Sequence, residues 1–65
     1  MSLPLLLTVR DTAQMLSVSE KTVQRMYRSG EIAYVRIGRS RRYIRIPADE
    51  VNKWVRLRLR HPLRD

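Results

Sequence analysis

Residues 7–23 read Leu7-Thr8-Val9-Arg10-Asp11-Thr12-Ala13-Gln14-Met15-Leu16-Ser17-Val18-Ser19-Glu20-Lys21-Thr22-Val23. Val9, Thr12/Ala13 and Leu16 recur at spacings of three and four, which puts them on one face of a helix over 9–16. Thr8 and Asp11 have the spacing of a capping box, with Asp in place of Glu. Ser17-Val18-Ser19 interrupts the period, and Ser19 is a good N-cap for a second helix over 20–29. Val18 and Val23 stand where a hydrophobic staple sits, before the cap and at the fourth helical position. Ala13 is small where the second helix must approach closely, and Val18 is expected to seal the turn. Val23 and Met26 pin the second helix, and Met15 and Met26 are expected to fill the core. Gly30 suits a left-handed helix end, with Ile32 folding back onto it.

Working outward, the period changes from helical to alternating. Tyr34 and Arg36 share one parity, Val35 and Ile37 the other. After Gly38-Arg39-Ser40-Arg41-Arg42, Ile44 and Ile46 alternate with Tyr43 and Arg45. Two short alternating runs around a glycine-containing turn predict a β-hairpin over 33–46. Val35, Ile37, Ile44 and Ile46 are expected on its inner face, and the aromatic and basic residues on its outer face. Cross-strand packing is the expected role of Tyr34 and Tyr43, ahead of stacking on a ligand. Pro47, followed by Asp49 and Glu50, suits the first turn of a third helix over 47–60. Val51, Trp54 and Val55 form its apolar stripe. The period-two run Arg56-Leu57-Arg58-Leu59-Arg60 fits either continued helix or an extended tail, and Pro62 disfavours helix at His61. Residues 61–65 read as a tail, with His61 solvated. Leu3-Pro4-Leu5-Leu6-Leu7 reads as a strap on the core. It is too short for a membrane span and lacks the basic flank and cleavage site of a signal peptide.

Composition narrows the partner. The 65 residues are expected to form a single domain, a size at which burial is modest. They carry 14 Lys+Arg against 6 Asp+Glu, a net charge of +8 and a pI near 11.4. Such a balance suits a polyanion: nucleic acid first, an anionic membrane surface second. Twelve of the basic residues are arginine, which forks onto phosphates and guanine edges better than lysine. A coding bias explains arginine over lysine equally well, but not the net charge. The chain has no cysteine, so disulfides and Cys-based zinc sites are excluded, and one histidine holds no metal. No cofactor or small-molecule ligand is expected. Cysteine absence fits a reducing cytoplasm without requiring one.

Helix, turn, helix, hairpin, helix is the order of an α+β winged helix-turn-helix. From Leu7 to Val55 the chain reads LTVRDTAQMLSVSEKTVQRMYRSGEIAYVRIGRSRRYIRIPADEVNKWV. This run resembles the excisionase-type helix-turn-helix family, small MerR-like winged-helix proteins. The likeness includes the helix caps, Gly30, the Arg36-Ile37-Gly38 wing entry and Trp54. Two departures are Ser17 at the usual turn glycine and Ala33 where a proline is common.

The second helix is the expected recognition helix in the major groove of duplex DNA. Lys21 and Arg25 lie one turn apart and can reach guanine, and Gln24 can pair with adenine. Thr22 and Arg28 are expected on phosphates. Glu20 is a further candidate, although it also suits the helix dipole. In the wing, Arg36, Arg39, Ser40, Arg41 and Arg42 are expected on the minor groove or phosphates. Arg56, Arg58, Arg60 and Arg64 form a basic tail that either touches DNA or a partner or stays solvated.

No nucleophile–base pair or phosphate loop points to an enzyme. The basic residues do not line one amphipathic helix, so a membrane-surface peptide is not expected. The resemblance implies an excisionase, or recombination directionality factor, acting in the cytoplasm of a bacterial host. Several copies would bind attachment-site DNA cooperatively, bend it and assist a tyrosine integrase. A small transcriptional regulator is the alternative. The short chain favours the first, because a regulator is expected to carry a sensor domain or a long dimerisation helix.

Overall fold

Thr8 opens the first helix, α1 (Val9–Leu16), in the computed structural model, which describes residues 5–60. Leu3 and Pro4 of the expected strap, and the 61–65 tail with His61 and Arg64, lie outside the described residues. The capping box is formed: Asp11 N–H donates to Thr8 Oγ1 at 2.9 Å, and Thr8 N–H to Asp11 Oδ2 at 3.2 Å. Thr12 is fully buried, and its hydroxyl donates to the Thr8 carbonyl at 2.9 Å, so burial leaves no polar atom unpaired. Ser17 takes the left-handed conformation, φ 55°. Val18 N–H then reaches the Ala13 carbonyl at 2.9 Å and Ser17 N–H the Gln14 carbonyl at 3.2 Å. These two bonds close the helix end as a Schellman motif.

The second helix, α2 (Glu20–Arg28), starts at Ser19, whose Oγ accepts from Thr22 N–H at 3.1 Å. It ends by the same device. Gly30 has φ 83°, and Glu31 N–H donates to the Met26 carbonyl at 2.9 Å. Ile32 folds back and is buried, as its position after the glycine predicts.

Two expectations for this region do not hold. Met15 is 54% exposed and Val18 39%. Met15 lies roughly 110° around the helix from the middle of the Val9–Thr12–Ala13–Leu16 stripe, so it falls outside the buried arc. Val18 closes the helix end through its backbone N–H, and its side chain is left half in solvent.

The described end of the leucine strap contains a strand. β1 (Leu6–Leu7) pairs antiparallel with β3 (Tyr43–Pro47), matching Leu7 to Ile46, and Ala48 N–H donates to the Leu5 carbonyl at 2.7 Å. With β2 (Val35–Ile37) on the other side of β3, the sheet order is β1-β3-β2. Ile46, on the central strand, is fully buried.

The hairpin forms, but its faces differ from expectation. Val35 pairs with Arg45, Arg36 with Ile44 and Ile37 with Tyr43. Paired residues share a face, so Tyr34 and Arg36 lie on the side of Ile44 and Ile46. Val35 and Ile37 lie with Tyr43 and Arg45, and both are 38% exposed. The cause is the five-residue loop 38–42. An odd loop pairs residues of equal parity, whereas an inner face of Val35, Ile37, Ile44 and Ile46 needs an even one. Tyr34 accordingly packs on the core, with its ring centroid 4.9 Å from that of Tyr27.

Pro47 ends β3 and is the N-cap of α3 (Ala48–Leu57). Asp49 and Glu50 occupy its first turn, where the dipole favours carboxylates. The helix is shorter than the expected 47–60. Arg58 N–H donates to the Val55 carbonyl at 3.0 Å and Leu59 N–H to the Arg56 carbonyl at 3.2 Å. These tighter i→i−3 bonds end it. Leu59, beyond its end, is 58% exposed. Leu7, Ala13, Val23, Met26, Ile32, Ile46 and Val51 form the core, with Ala48 and Trp54 packed at its edge. The result is a small α+β fold of winged helix-turn-helix type.

Candidate nucleic-acid interface

The orientation of α2 follows from its buried side. Val23 and Met26 sit in the core at 0% and 6% exposure, which fixes the rotation of the helix about its axis. Lys21, Gln24, Arg25 and Arg28 then fall within an arc of roughly 100° on the opposite side. They line one shallow open hollow of about 430 Å³ together with Ser29. Lys21, Arg25 and Arg28 are exposed, and Gln24 is half-buried. Four of the six residues of this helix expected to meet DNA are thus brought together as one face, three cations around an amide.

The other two helix candidates lie off that face. Thr22 is half-buried, and its hydroxyl is 2.9 Å from Ser19 Oγ, so it belongs to the helix cap. Glu20 is exposed in the first turn, where its charge complements the dipole.

The wing presents a second basic group. Arg39, Ser40, Arg41 and Arg42 are all exposed in the loop between β2 and β3. Arg41 N–H donates to the Gly38 carbonyl at 3.1 Å, closing a tight turn. Both ends of that turn have positive φ, 90° at Gly38 and 55° at Arg41. Glycine adopts this conformation freely, whereas arginine there carries strain of about 1–2 kcal/mol. Arg36 is exposed but lies on the core side of the sheet, its guanidinium 5.9 Å from the Tyr34 ring centroid. Arg45 folds back, donating from Nη1 to the Ile44 carbonyl at 2.8 Å and lying 5.9 Å from the Tyr43 ring centroid.

The C-terminal arginines do not act as one group. Arg56 and Arg60 are exposed. Arg58 lies over the Trp54 ring at 4.2 Å from its centroid and pairs with Glu31 Oε2 at 3.2 Å. Trp54 Nε1 donates to the same Glu31 oxygen at 2.8 Å. The three side chains tie the end of α3 to the loop after α2. Exposure of the ion pair, 45% and 38%, keeps its contribution below about 1 kcal/mol. Sequence reasoning misses Glu31 because its partners are 23 and 27 residues away. The only local hint is its place just after the helix-ending glycine.

Among the described residues, no group of His, Cys, Asp and Glu is arranged to hold a metal ion. No helix among them is long and apolar enough to cross a membrane. A family model described as a helix-turn-helix domain matches residues 6–58. Comparison with curated proteins and with solved structures gives no match.

Proposed function

The chain belongs to the helix-turn-helix domain family, and we propose that this DNA-binding domain is an excisionase, a recombination directionality factor. It reads attachment-site DNA sequence-specifically through α2, holds the phosphates or the adjacent minor groove with its wing, and does no bond chemistry. Copies bind side by side, bend the DNA, and assist a tyrosine integrase in excision. Its place of action is the bacterial cytoplasm, on DNA.

The observation that carries this reading is the single face of Lys21, Gln24, Arg25 and Arg28, set opposite the buried Val23 and Met26. Arginine or lysine on guanine and glutamine on adenine are the side-chain pairings that discriminate bases in the major groove. The likeness of Leu7–Val55 to excisionase-type proteins supports the biological role. Side-by-side binding is supported by the modest footprint of one helix-turn-helix with its wing. A single DNA-binding module buries roughly 600–1,000 Å² of its surface, so neighbours raise avidity at one site. Leu57 and Leu59, exposed at 73% and 58%, are candidate neighbour or integrase contacts.

The test is a reconstituted recombination reaction with the integrase of the same element. The protein should stimulate excision, suppress reintegration, protect two or more sites spaced by a helical turn, and bend the fragment. Removing residues from Leu59 onward keeps the Glu31–Trp54–Arg58 tie. That truncation should lower excision more than single-site binding. Protection of one isolated operator, with promoter repression and unchanged recombination, would instead identify a transcriptional regulator.

A further inference from the structure

The wing loop leaves Tyr43 in a place that neither its exposure nor its chemistry explains. Its ring is 58% exposed, on the outer face of the sheet beside Val35 and Ile37. The ring lies directly against Gly38. A Cβ built on Gly38 would stand 2.8 Å from Tyr43 Cδ2 and 3.2 Å from Cε2. Gly38 is therefore required twice over, by its φ of 90° and by the ring that covers it. On the strand side, Arg45 lies 5.9 Å from the same ring. Tyr43 thus bridges the start of the loop, Gly38, to the strand that leaves it, and Arg39, Arg41 and Arg42 lie between these two anchors.

We infer that Tyr43 is a positioning residue for DNA binding: its ring, closed on Gly38, holds the five-residue wing loop so that its arginines are presented in one arrangement. The inference rests on the wing meeting DNA, as proposed above. The physical case is one of preorganisation. β2 is three residues long and all of it is exposed. Little burial is available to hold the loop, and Arg41 sits in a strained conformation within it. A loop ordered only on binding lowers affinity by the entropy of ordering it. The ring packs locally where the core does not reach. Because it is largely solvent-exposed, its removal leaves the core untouched.

The experiment measures affinity and its salt dependence for a duplex carrying the protein's site. The variants are Tyr43→Phe, Tyr43→Ala, Gly38→Ala and Arg39→Ala/Arg41→Ala/Arg42→Ala, with Tyr43→Ala also placed in the triple variant. Trp54 fluorescence during urea unfolding checks the fold of each. Tyr43→Phe should bind within about twofold of the native chain, with the same salt slope. Tyr43→Ala and Gly38→Ala should bind roughly five- to tenfold more weakly. Their slopes should be shallower by about 1 for each phosphate that the loop no longer neutralises. In the triple variant, Tyr43→Ala should weaken binding no further, since the ring acts through the arginines. A full additional weakening there overturns the inference, because the tyrosine would then touch DNA itself. Unchanged affinity and slope for Tyr43→Ala alone also overturns it. If the triple variant itself binds with native affinity and slope, the wing is not on DNA, and that reading fails together with this one.

Discussion

Helix α2 and the wing are both basic and both exposed, yet they are held by different physics. Helix α2 is anchored from behind. Val23 and Met26 are locked in the core, Ser19 caps one end, and Gly30 closes the other. The wing is backed only at its base, where Ile46 and Tyr34 reach the core. β2 is exposed along its length and pairs only with β3, and the loop turns through a strained Arg41. A side chain that reads a base edge must be placed within fractions of an ångström, which a core-anchored helix provides. Contact with a phosphate tolerates looser placement. Under the proposed function, the contrast suits base reading by α2 and backbone or groove attachment by the wing.

The largest effect should come from salt, which acts on both surfaces. With about six phosphates neutralised, log K against log[salt] should slope near −5. Binding should then weaken about a thousandfold between 50 and 200 mM salt. A flat titration by fluorescence anisotropy would remove DNA contact from helix and wing alike.

Next comes the difference in anchoring. Met26→Ala opens a cavity in the core and should cost about 2–4 kcal/mol of unfolding free energy. On a domain of this size that is most of the stability. Ile37→Ala, on the exposed face of β2, should cost less than about 1 kcal/mol. Urea titrations followed by Trp54 fluorescence measure both. Equal costs would mean that the wing is as integral to the core as α2.

Smaller effects separate the two surfaces on DNA. Arg25→Ala should cost about 1–3 kcal/mol on the preferred duplex and relax preference at one or two base pairs. Arg41→Ala should weaken binding to all duplexes alike, with a salt slope shallower by about 1. Competition against a panel of single base-pair changes distinguishes them. Sequence-blind losses from both would strip Arg25 of the base-reading role.

The smallest effects concern Ser17 and Arg41, which among the described residues have positive φ without being glycine. Ser17→Gly should stabilise the fold by up to about 1 kcal/mol and leave DNA affinity unchanged. Arg41→Gly should relieve similar strain but weaken binding. Thermal melts paired with affinity measurements read both. If Arg41→Gly binds as well as the native chain, the strain at Arg41 has no part in DNA contact.

The helix-turn-helix is legible in the sequence because every signal for it is local. Thr8 with Asp11, Ser19 with Thr22, and Gly30 with Met26 lie within five residues of one another, and the 3/4-spaced apolar stripe names the buried side of α2 directly. From those residues alone come the helix-turn-helix, the ends of α1 and the start of α2, and the shared face of Lys21 and Arg25. Met15 departs from expectation because hydrophobicity without angular position on the helix does not decide burial, and Val18 because it closes the end of α1 through its backbone N–H.

Three features were decided only by tertiary structure, each for a physical reason. The faces of the wing depend on loop parity, and alternation within each strand does not reveal how the strands are offset. Leu6–Leu7 became β1 because β3 offered an open edge, and an apolar run does not state its hydrogen-bond partner. The end of α3 and the engagement of Arg58 depend on Glu31, a partner 27 residues distant that no local pattern could supply. Helices are specified by neighbours a turn apart, whereas register, edge pairing and side-chain ties are settled between segments that meet only when the chain has folded.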